Sequence, residues 1–270
     1  MPTPSLTDMR LPALEELEAD EEQLLRSHDV AELHCGRSTA YATSYLRRLE
    51  VTIEAVQRWS PKGLILDAAC AQGNLAITLA ALGLPTVGID LRPPFLDYAR
   101  RKDDSSLVSW VAGSLEALPF QAEAIGCIVL GEVLEHVAHP ERLLEQAARI
   151  LVPGGIVVAT TPNGDKFHTG LPNLADIPAR AALEARQFQP DADGHLFLLT
   201  KDELVLVGTA AGLEFLDHKY IQTPFLTGWP RLQRQIEFIP VGFRRRLNRR
   251  LEAMWVSSRV SNGQIVVFRR

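Results

Sequence analysis

The sequence predicts an α/β fold in which a mostly parallel sheet carries helices on both faces. Short apolar runs alternate with helical patterns through the middle of the chain, and this alternation is typical of parallel strands joined by crossover helices. The chain has 270 residues, of which 46% are hydrophobic, so it can bury the core of a sizeable domain. Its formal net charge of -5 argues against a general nucleic-acid binder.

The individual elements follow from local patterns. Short apolar runs predict strands at residues 64–67, 86–90, 107–112, 124–130, 156–161, 213–220 and 264–269. Apolar residues at three- and four-residue steps predict helices at residues 14–26, 44–59, 73–82, 94–102 and 140–151. Another helix is expected within residues 199–212, with Thr200 as its N-cap and Gly212 at its end.

These elements suggest an N-terminal helical extension over residues 1–60 and a main domain over residues 61–270. Two stretches interrupt the alternation, at about residues 164–198 and 223–262. Insertions at the carboxyl ends of parallel strands commonly build the ligand site. We therefore expect both insertions, the second one helical, to cover the site where a substrate binds.

The stretch from Gly63 to Asn74 predicts a strand, a tight turn of small residues and a helix. This unit brings the backbone close to a nucleotide-like ligand. Asp90 ends the next strand about twenty residues after the turn, where an acid can accept both hydroxyls of a ribose. An ordinary acid at the end of a strand is the alternative, and the preceding turn favours the ribose role.

Two later segments add candidate site residues. A Gly–Ser turn at residues 113–114 could present a backbone N–H and a hydroxyl to an adenine edge. The fourth strand runs into Gly131-Glu-Val-Leu-Glu-His-Val137, which places Glu132 at the sheet edge, with His136 one helical turn further on. In the competing interpretation Glu135 is a surface residue and His136 a packed helix residue. For His136 both interpretations stay open.

In order and spacing these segments resemble the class I S-adenosylmethionine-dependent methyltransferases, particularly the branch that includes small-molecule O-methyltransferases of the ubiquinone-biosynthesis type. The resemblance runs from residue 63 to residue 212 and rests on residues 65–73, 88–90, 113–120, 131–137, 151–155 and 160–163. It implies a Rossmann-like, doubly wound sheet of seven strands in the order 3-2-1-4-5-7-6, whose last strand is antiparallel. It also implies S-adenosylmethionine as the cofactor.

The resemblance assigns cofactor contacts residue by residue. Asp67, Ala69 and Gly73 would surround the methionine part, and Glu132 would lie beside its sulfonium end. Asp90 would hold the ribose. The remaining contacts would be Ser114 and Leu115 at the adenine, Leu91 on its face, and Arg37 and Tyr41 at the cofactor carboxylate. The family usually has glycine at the positions of Ala69 and Ala71, and an acid at that of Ser114. These departures predict a slightly wider loop or a displaced cofactor, and a weaker adenine contact.

Methyl transfer from an activated sulfonium mainly needs alignment and desolvation, but a hydroxyl acceptor also needs a base. His136 and His195 are the candidate bases, whereas His139 and His168 are expected to be solvated or packed. His136, Asp193 and His195 could hold a metal, but their spacing in the sequence matches no metal-ligand motif. The sequence therefore predicts no metal and a methyl transfer to a small-molecule, sugar or lipid-linked acceptor, most simply at oxygen.

The second insertion combines aromatic residues with the arginine run Arg244-Arg-Arg-Leu-Asn-Arg-Arg250. This combination has two interpretations. One is an anionic or membrane-associated acceptor, and the other, which is preferred, is a solvated helix face whose positive charge balances the acidic N-terminus. Three scattered cysteines, no leader pattern in residues 1–20 and no apolar run of about twenty residues fit a cytoplasmic protein without a spanning segment.

Three other functions stay open. The alanines in the first turn motivate a relative that binds the cofactor, or a partner, without catalysis. A nicotinamide dehydrogenase is disfavoured, because no Gly-x-Gly-x-x-Gly follows the first strand. An RNA methyltransferase is disfavoured by the net charge, although the arginine run keeps it open, and nitrogen remains a second candidate for the methylated atom.

Overall fold

The computed structural model describes residues 9–34, 39–59, 62–167, 169–187, 194–227 and 233–270, and within them seven strands form one sheet in the order β3-β2-β1-β4-β5-β7-β6. The strands are β1 Leu64–Ala68, β2 Thr86–Asp90, β3 Val108–Ala112, β4 Ile125–Gly131, β5 Leu151–Pro162, β6 Glu214–Ile221 and β7 Gly263–Arg269. Strand β7 is antiparallel to both of its neighbours, and β1 to β5 are parallel. The predicted strand order and the antiparallel last strand are confirmed.

The helices in the described residues are α1 Asp20–Glu32, α2 Ala40–Trp59, α3 Asn74–Ala81, α4 Pro93–Lys102, α5 Pro140–Ile150, α6 Ala181–Glu184, α7 Lys201–Ala210, α8 Pro224–Thr227, α9 Gln233–Glu237, α10 Val241–Glu252 and α11 Ser257–Val260. Short 3-10 turns lie at Leu14–Glu16, Leu115–Ala117, Leu134–His136 and Leu174–Asp176. Thr200 caps α7 as predicted, because its hydroxyl accepts a hydrogen bond from the Glu203 amide. No described helix is both long and apolar enough to cross a bilayer.

The core lies on both faces of the sheet, because successive strand residues point to opposite sides. Leu66 and Ile128 join one apolar cluster, which α5 and α7 cover. Ile65 and Cys127 join the cluster on the other face, which α2 and α3 cover. Helix α2, predicted as part of an N-terminal extension, therefore packs directly on the central strands.

Helix α1 differs from its prediction, since it spans Asp20–Glu32 rather than residues 14–26. Its buried face is largely polar, and a search for apolar periodicity therefore misplaces it. The Asp29 carboxylate lies 2.5 Å from Lys102 Nζ and accepts a hydrogen bond from Asn74 at 2.9 Å. This buried ion pair ties α1 to α4 and to the start of α3.

Helix α2 begins at Ala40 rather than residue 44, so Tyr41 lies in the first turn of this helix rather than before it. Strand β5 begins at Leu151, which pairs with Ile125 before a register shift, and is therefore longer than residues 156–161. Cys70 and Cys127 are free and buried. Cys35 and Arg37 lie outside the described residues, as do His168 and Asp193.

Candidate active site

The candidate site lies at the carboxyl edge of β1, β2 and β4. The turn after β1 is unusual because Ala69 has φ 58°, Ala71 has φ 45° and Gly73 has φ 74°. All three lie in the left-handed region that favours glycine. The turn therefore follows a path typical of glycines although two of its residues are alanines.

Asp67 and Gly73 hold this turn in place. Asp67 Oδ2 accepts a hydrogen bond from the Ala76 amide at 3.1 Å and so satisfies a backbone donor in the first turn of α3. Burial raises the pKa of Asp67 to about 7, and the nearby Asp90 adds to the increase. At Gly73 a Cβ atom would lie 2.5 Å from Trp110 Cη2. Tight packing thus requires glycine there, independently of any ligand.

Asp90 lies at the end of β2 and is almost fully buried. Its Oδ2 accepts a hydrogen bond from the Ala71 amide at 3.0 Å, and its Oδ1 accepts one from the Arg92 amide at 3.0 Å. Each carboxylate oxygen can accept a second hydrogen bond, so the pair can still hold a diol. The next residue, Leu91, is 50% exposed and offers an apolar face at the same edge.

Ser114 and Leu115 follow β3, as the sequence predicts. The Ser114 hydroxyl accepts a hydrogen bond from the Glu116 amide at 3.2 Å and so caps a short 3-10 turn. Leu115 is buried in the core. The backbone of this turn and the second lone pair of the hydroxyl are therefore the groups that could contact an adenine.

Helices α1 and α2 add two side chains that the sequence analysis missed, Glu32 and Arg48. Arg48 NH1 lies 3.5 Å from Glu132 Oε2, and both side chains are about one quarter exposed. The Glu32 carboxylate accepts hydrogen bonds from Tyr41 Oη at 2.9 Å and from Gln72 Nε2 at 2.7 Å. Because Gln72 lies in the turn after β1, Glu32 and Arg48 bring opposite charges to the methionine side of the predicted site.

Glu32 and Tyr41 influence each other's protonation. Burial raises the pKa of Glu32 to about 7, although the hydrogen bond from Tyr41 opposes that increase. Burial together with the charge of Glu32 raises the pKa of Tyr41 to about 12. Tyr41 is thus a neutral donor to Glu32, and its phenol is already engaged near the position where a cofactor carboxylate was expected.

The two candidate bases, His136 and His195, meet in the structure. Their ring centroids are 4.9 Å apart in an edge-to-face arrangement. Glu135 Oε1 lies 3.9 Å from Nε2 of each ring. His195 lies in the first insertion. The insertion is held beside Glu135 because the amide of the next residue, Leu196, donates a hydrogen bond to the Glu135 carbonyl at 2.9 Å.

Glu135 is fully buried, so its interpretation as a surface residue is wrong. Its Oε2 accepts a hydrogen bond from Thr161 Oγ1 at 3.0 Å, while its buried Oε1 has no hydrogen-bond partner among the described residues. Burial, with the charge of Glu132, raises the pKa of Glu135 well above its usual value. The Leu-Glu-His spacing gave no sign of this, because a 3-10 turn rather than an α-helix sets the directions of Glu135 and His136.

Glu135, His136 and His195 could also hold a metal ion, because one ligand atom from each lies within 4.8 Å of the others. The sequence prediction considered Asp193 in place of Glu135, and Asp193 lies outside the described residues. His139, in contrast, lies between Glu141 and Glu184 at 3.0 Å and 2.8 Å. These contacts fit the structural role expected for His139.

Comparisons with known proteins bear on this arrangement. A family model described as a methyltransferase domain matches residues 66–159. The chain is 33% identical over 181 residues to a ubiquinone biosynthesis O-methyltransferase of Dinoroseobacter shibae, covering 65% of this chain and 70% of that protein. It is also 33% identical over 170 residues to the protein of the same description from Chelativorans sp., covering 62% of this chain and 65% of the relative.

The fold is shared with an S-adenosylmethionine dependent methyltransferase of known structure from Mesorhizobium loti. The TM-score is 0.56 at 16% identity, over 80% of this chain and 96% of that one. The chain spans between 33% and 65% of the length of the first three curated relatives that it matches. The family-model match reaches from β1 into β5 and includes the carboxyl ends of β1, β2 and β4, whereas the sequence matches cover only part of each of these relatives.

Proposed function

Because this chain belongs to the class I S-adenosylmethionine-dependent methyltransferases, we propose that it transfers a methyl group from S-adenosylmethionine to a hydroxyl of a small-molecule acceptor. The transfer would occur at the carboxyl edge of β1, β2 and β4. The observation that carries the proposal is the cluster of Glu135, His136 and His195, in which a buried carboxylate oxygen faces two imidazoles.

The chemistry of the residues present fits this cofactor. Arg48 would pair with the methionine carboxylate, and Glu32 would accept from its ammonium group. Asp90 would accept from the ribose hydroxyls, and Leu91 would pack on the adenine face. When bound, the cofactor supplies a methyl group already activated by a positive sulfur, so the protein's own residues need to align the acceptor and exclude water.

The histidine pair would remove the acceptor proton. Neutral imidazole is a base near pH 7, and Glu135 would stabilise the imidazolium that forms at His136 or His195. The present separation of 3.9 Å is longer than a hydrogen bond, and such contacts often tighten when substrate binds. Removal of the proton would leave an oxygen nucleophile at the acceptor, which is the species that methyl transfer to oxygen requires.

A phenolic hydroxyl suits this base better than an aliphatic alcohol, because a phenol has a pKa of about 10, whereas an alcohol is far less acidic. The named relatives are O-methyltransferases of ubiquinone biosynthesis, which supports transfer to oxygen. Hydroxyls of sugars and of lipid-linked molecules remain within the same proposal, because no contact described above selects one class of acceptor.

Calorimetric titration with S-adenosylhomocysteine tests the first half of the proposal. We expect binding, and we expect Asp90→Ala to weaken it by about tenfold to a hundredfold, since hydrogen bonds to a charged group contribute about 1.5–3 kcal/mol. Asp97→Ala, an exposed acid on α4, is the matched control and should leave the affinity unchanged. Absence of binding by the parent protein would exclude the proposed function.

Transfer of a labelled methyl group to a panel of phenols, sugars and amines tests the second half. His136→Gln and His195→Gln should each lower kcat for the preferred acceptor by about a hundredfold, the usual contribution of a general base. His139→Gln should leave kcat unchanged. Cofactor binding without transfer to any acceptor would instead support a non-catalytic relative.

A divalent cation is a second role that the same three side chains permit. In that case the cation would bind the acceptor hydroxyl and lower its pKa. Removal of metal by a chelator distinguishes the roles, because a histidine base predicts unchanged transfer and a resident cation predicts lost transfer that Mg²⁺ or Zn²⁺ restores.

A further inference from the structure

A further surface lies on the insertion around α10. Phe238 is 88% exposed, Phe243 is 60% exposed and Trp255 is 85% exposed. Folding gains nothing from large apolar side chains in water, so a group of them calls for an explanation. We call this the arginine–aromatic surface, and its members are Phe238, Phe243, Arg246, Arg250 and Trp255.

The orientation of α10 is fixed by the opposite face of the helix, which is polar and buried. Asn248 Oδ1 accepts hydrogen bonds from the Thr223 amide at 2.9 Å and from its hydroxyl at 2.8 Å. Glu252 Oε2 lies 2.7 Å from Arg47 NH2 on α2. With Asn248 and Glu252 held inside, helical geometry directs Phe243, Arg246 and Arg250 outward along one line.

The two arginines of this surface, Arg246 and Arg250, form no ion pair within the described parts of the chain. In the described part of the acidic N-terminal segment, Glu16 pairs with Arg10, and Glu18 and Glu22 pair with Arg101 on α4. The preferred sequence interpretation was a solvated helix face that balances the acidic N-terminus. Arg246 and Arg250 are exposed, as that interpretation expects, but no ion pair among the described residues joins them to the N-terminal acids. The surface keeps a positive charge on a chain whose net charge is -5.

We propose that the arginine–aromatic surface docks on an anionic lipid bilayer. Aromatic rings insert at the level of the headgroups, and arginines attract acidic lipids. The aromatic side chains lie near both ends of α10, and each is more than half exposed, which suits a soft interface better than the closely packed pockets of a protein partner. The nearby α9 is joined to α2, because Glu237 Oε1 accepts from the Ala40 amide at 3.0 Å. The docked surface is thus connected to the helix that carries Arg48.

Co-sedimentation of the full chain with vesicles tests the charge requirement. The protein should bind vesicles of phosphatidylcholine and phosphatidylglycerol and bind those of phosphatidylcholine alone far more weakly, with the difference shrinking as salt increases. Arg246→Gln/Arg250→Gln should weaken binding about thirtyfold, at about fivefold for each arginine. The matched control is Arg142→Gln/Arg186→Gln, which removes two exposed arginines elsewhere and should bind like the parent.

Substitution of the rings tests the insertion step. Phe243→Ala/Trp255→Ala should weaken vesicle binding at least tenfold, while Leu206→Ala, which removes an exposed apolar side chain on α7, should not. Equal binding by the surface variants and their controls would overturn the proposal. So would tighter binding of an RNA oligonucleotide than of anionic vesicles, or a self-association that the same substitutions abolish. Affinity for S-adenosylhomocysteine should be unchanged in every variant, so these outcomes are independent of the methyl-transfer proposal.

Discussion

Replacement of Glu135 by Gln should make the protein more stable at about pH 8. Glu135 is fully buried, and only one of its carboxylate oxygens has a hydrogen-bond partner, Thr161, among the described residues. After the substitution, the amide oxygen would keep the contact with Thr161, and the amide nitrogen could donate towards the imidazoles of His136 and His195. The substitution thus preserves shape while it removes an ionisable group.

The magnitude follows from the cost of a buried polar group without a partner, which is about 1–3 kcal/mol. Because the folded pKa of Glu135 is raised by burial, its contribution to stability is present below the unfolded pKa of about 4.3. That contribution is lost as the pH rises through the folded pKa. Glu135→Gln should therefore match the parent at about pH 4 and exceed it by about 1–3 kcal/mol at about pH 8. At about 2–4 °C for each kcal/mol, the gain should be visible in a thermal melt.

Glu252 is the matched control because it is an equally buried glutamate with a full set of partners. Its carboxylate lies 2.7 Å from Arg47 and accepts hydrogen bonds from the Gln222 amide and from Asn248. Glu252→Gln should lower the free energy of unfolding by about 3 kcal/mol, since it leaves a buried guanidinium with weaker pairing. Urea unfolding of both variants at the two pH values measures the contrast. If Glu135→Gln destabilises the protein at about pH 8 as Glu252→Gln does, the assignment of Glu135 Oε1 as a buried oxygen without a hydrogen-bond partner among the described residues is refuted.

Three further predictions concern the turn after β1 and its neighbours. Burial raises the pKa of Glu32 to about 7, so its stabilising contribution is lost as the pH rises through 7. The free energy of unfolding of Glu32→Gln, measured with urea, should therefore gain up to about 2 kcal/mol over that of the parent between about pH 5 and pH 8. A difference between the two proteins that does not change with pH would contradict this. Gly73→Ala should cost about 2–4 kcal/mol because its Cβ would overlap Trp110, whereas Gly83→Ala, with φ 80° and open space around it, should cost only about 1 kcal/mol in the same assay. Arg48→Gln should weaken calorimetric S-adenosylhomocysteine binding about tenfold or more, and an unchanged affinity would remove Arg48 from the proposed cofactor contacts.

The sheet could be predicted because each strand carries its own apolar run, and the chain resembles a family whose strand order is known. The helices whose buried faces are polar could not be placed equally well. Helix α1 buries Glu22, Asp29 and Glu32 beside a single leucine, Leu25, so its apolar period is too weak to mark its ends. Helix α10 is buried through Arg244, Asn248 and Glu252. In both helices, hydrogen bonds and ion pairs to residues distant in sequence determine which face is buried. The hydrophobic pattern of a single sequence does not reveal those partner residues.

The same distinction holds for the site. Asp90 was predicted because it ends a strand about twenty residues after the small-residue turn, and Asp67 because the family resemblance places an acid at that position. The meeting of His136 and His195 depends on a 3-10 turn and on an insertion that bonds to the Glu135 carbonyl, which no spacing rule contains. Arg48 lies on a helix whose apolar face was recognised, but its pairing with Glu132 joins positions 84 residues apart in sequence.

The alanines in the turn after β1 show how the site tolerates its departure from the family motif. Ala69 and Ala71 keep positive φ angles, each at a cost of about 1–2 kcal/mol. Hydrogen bonds offset that cost, because the Cys70 amide donates to the Ile89 carbonyl at 3.0 Å and the Ala71 amide donates to Asp90 at 3.0 Å. The turn therefore keeps the backbone path that glycines would adopt, and the two alanines in it are conformationally strained. Since the acid proposed to hold the ribose is also the acid that holds the strained turn, cofactor binding and the conformation of the turn are coupled through Asp90.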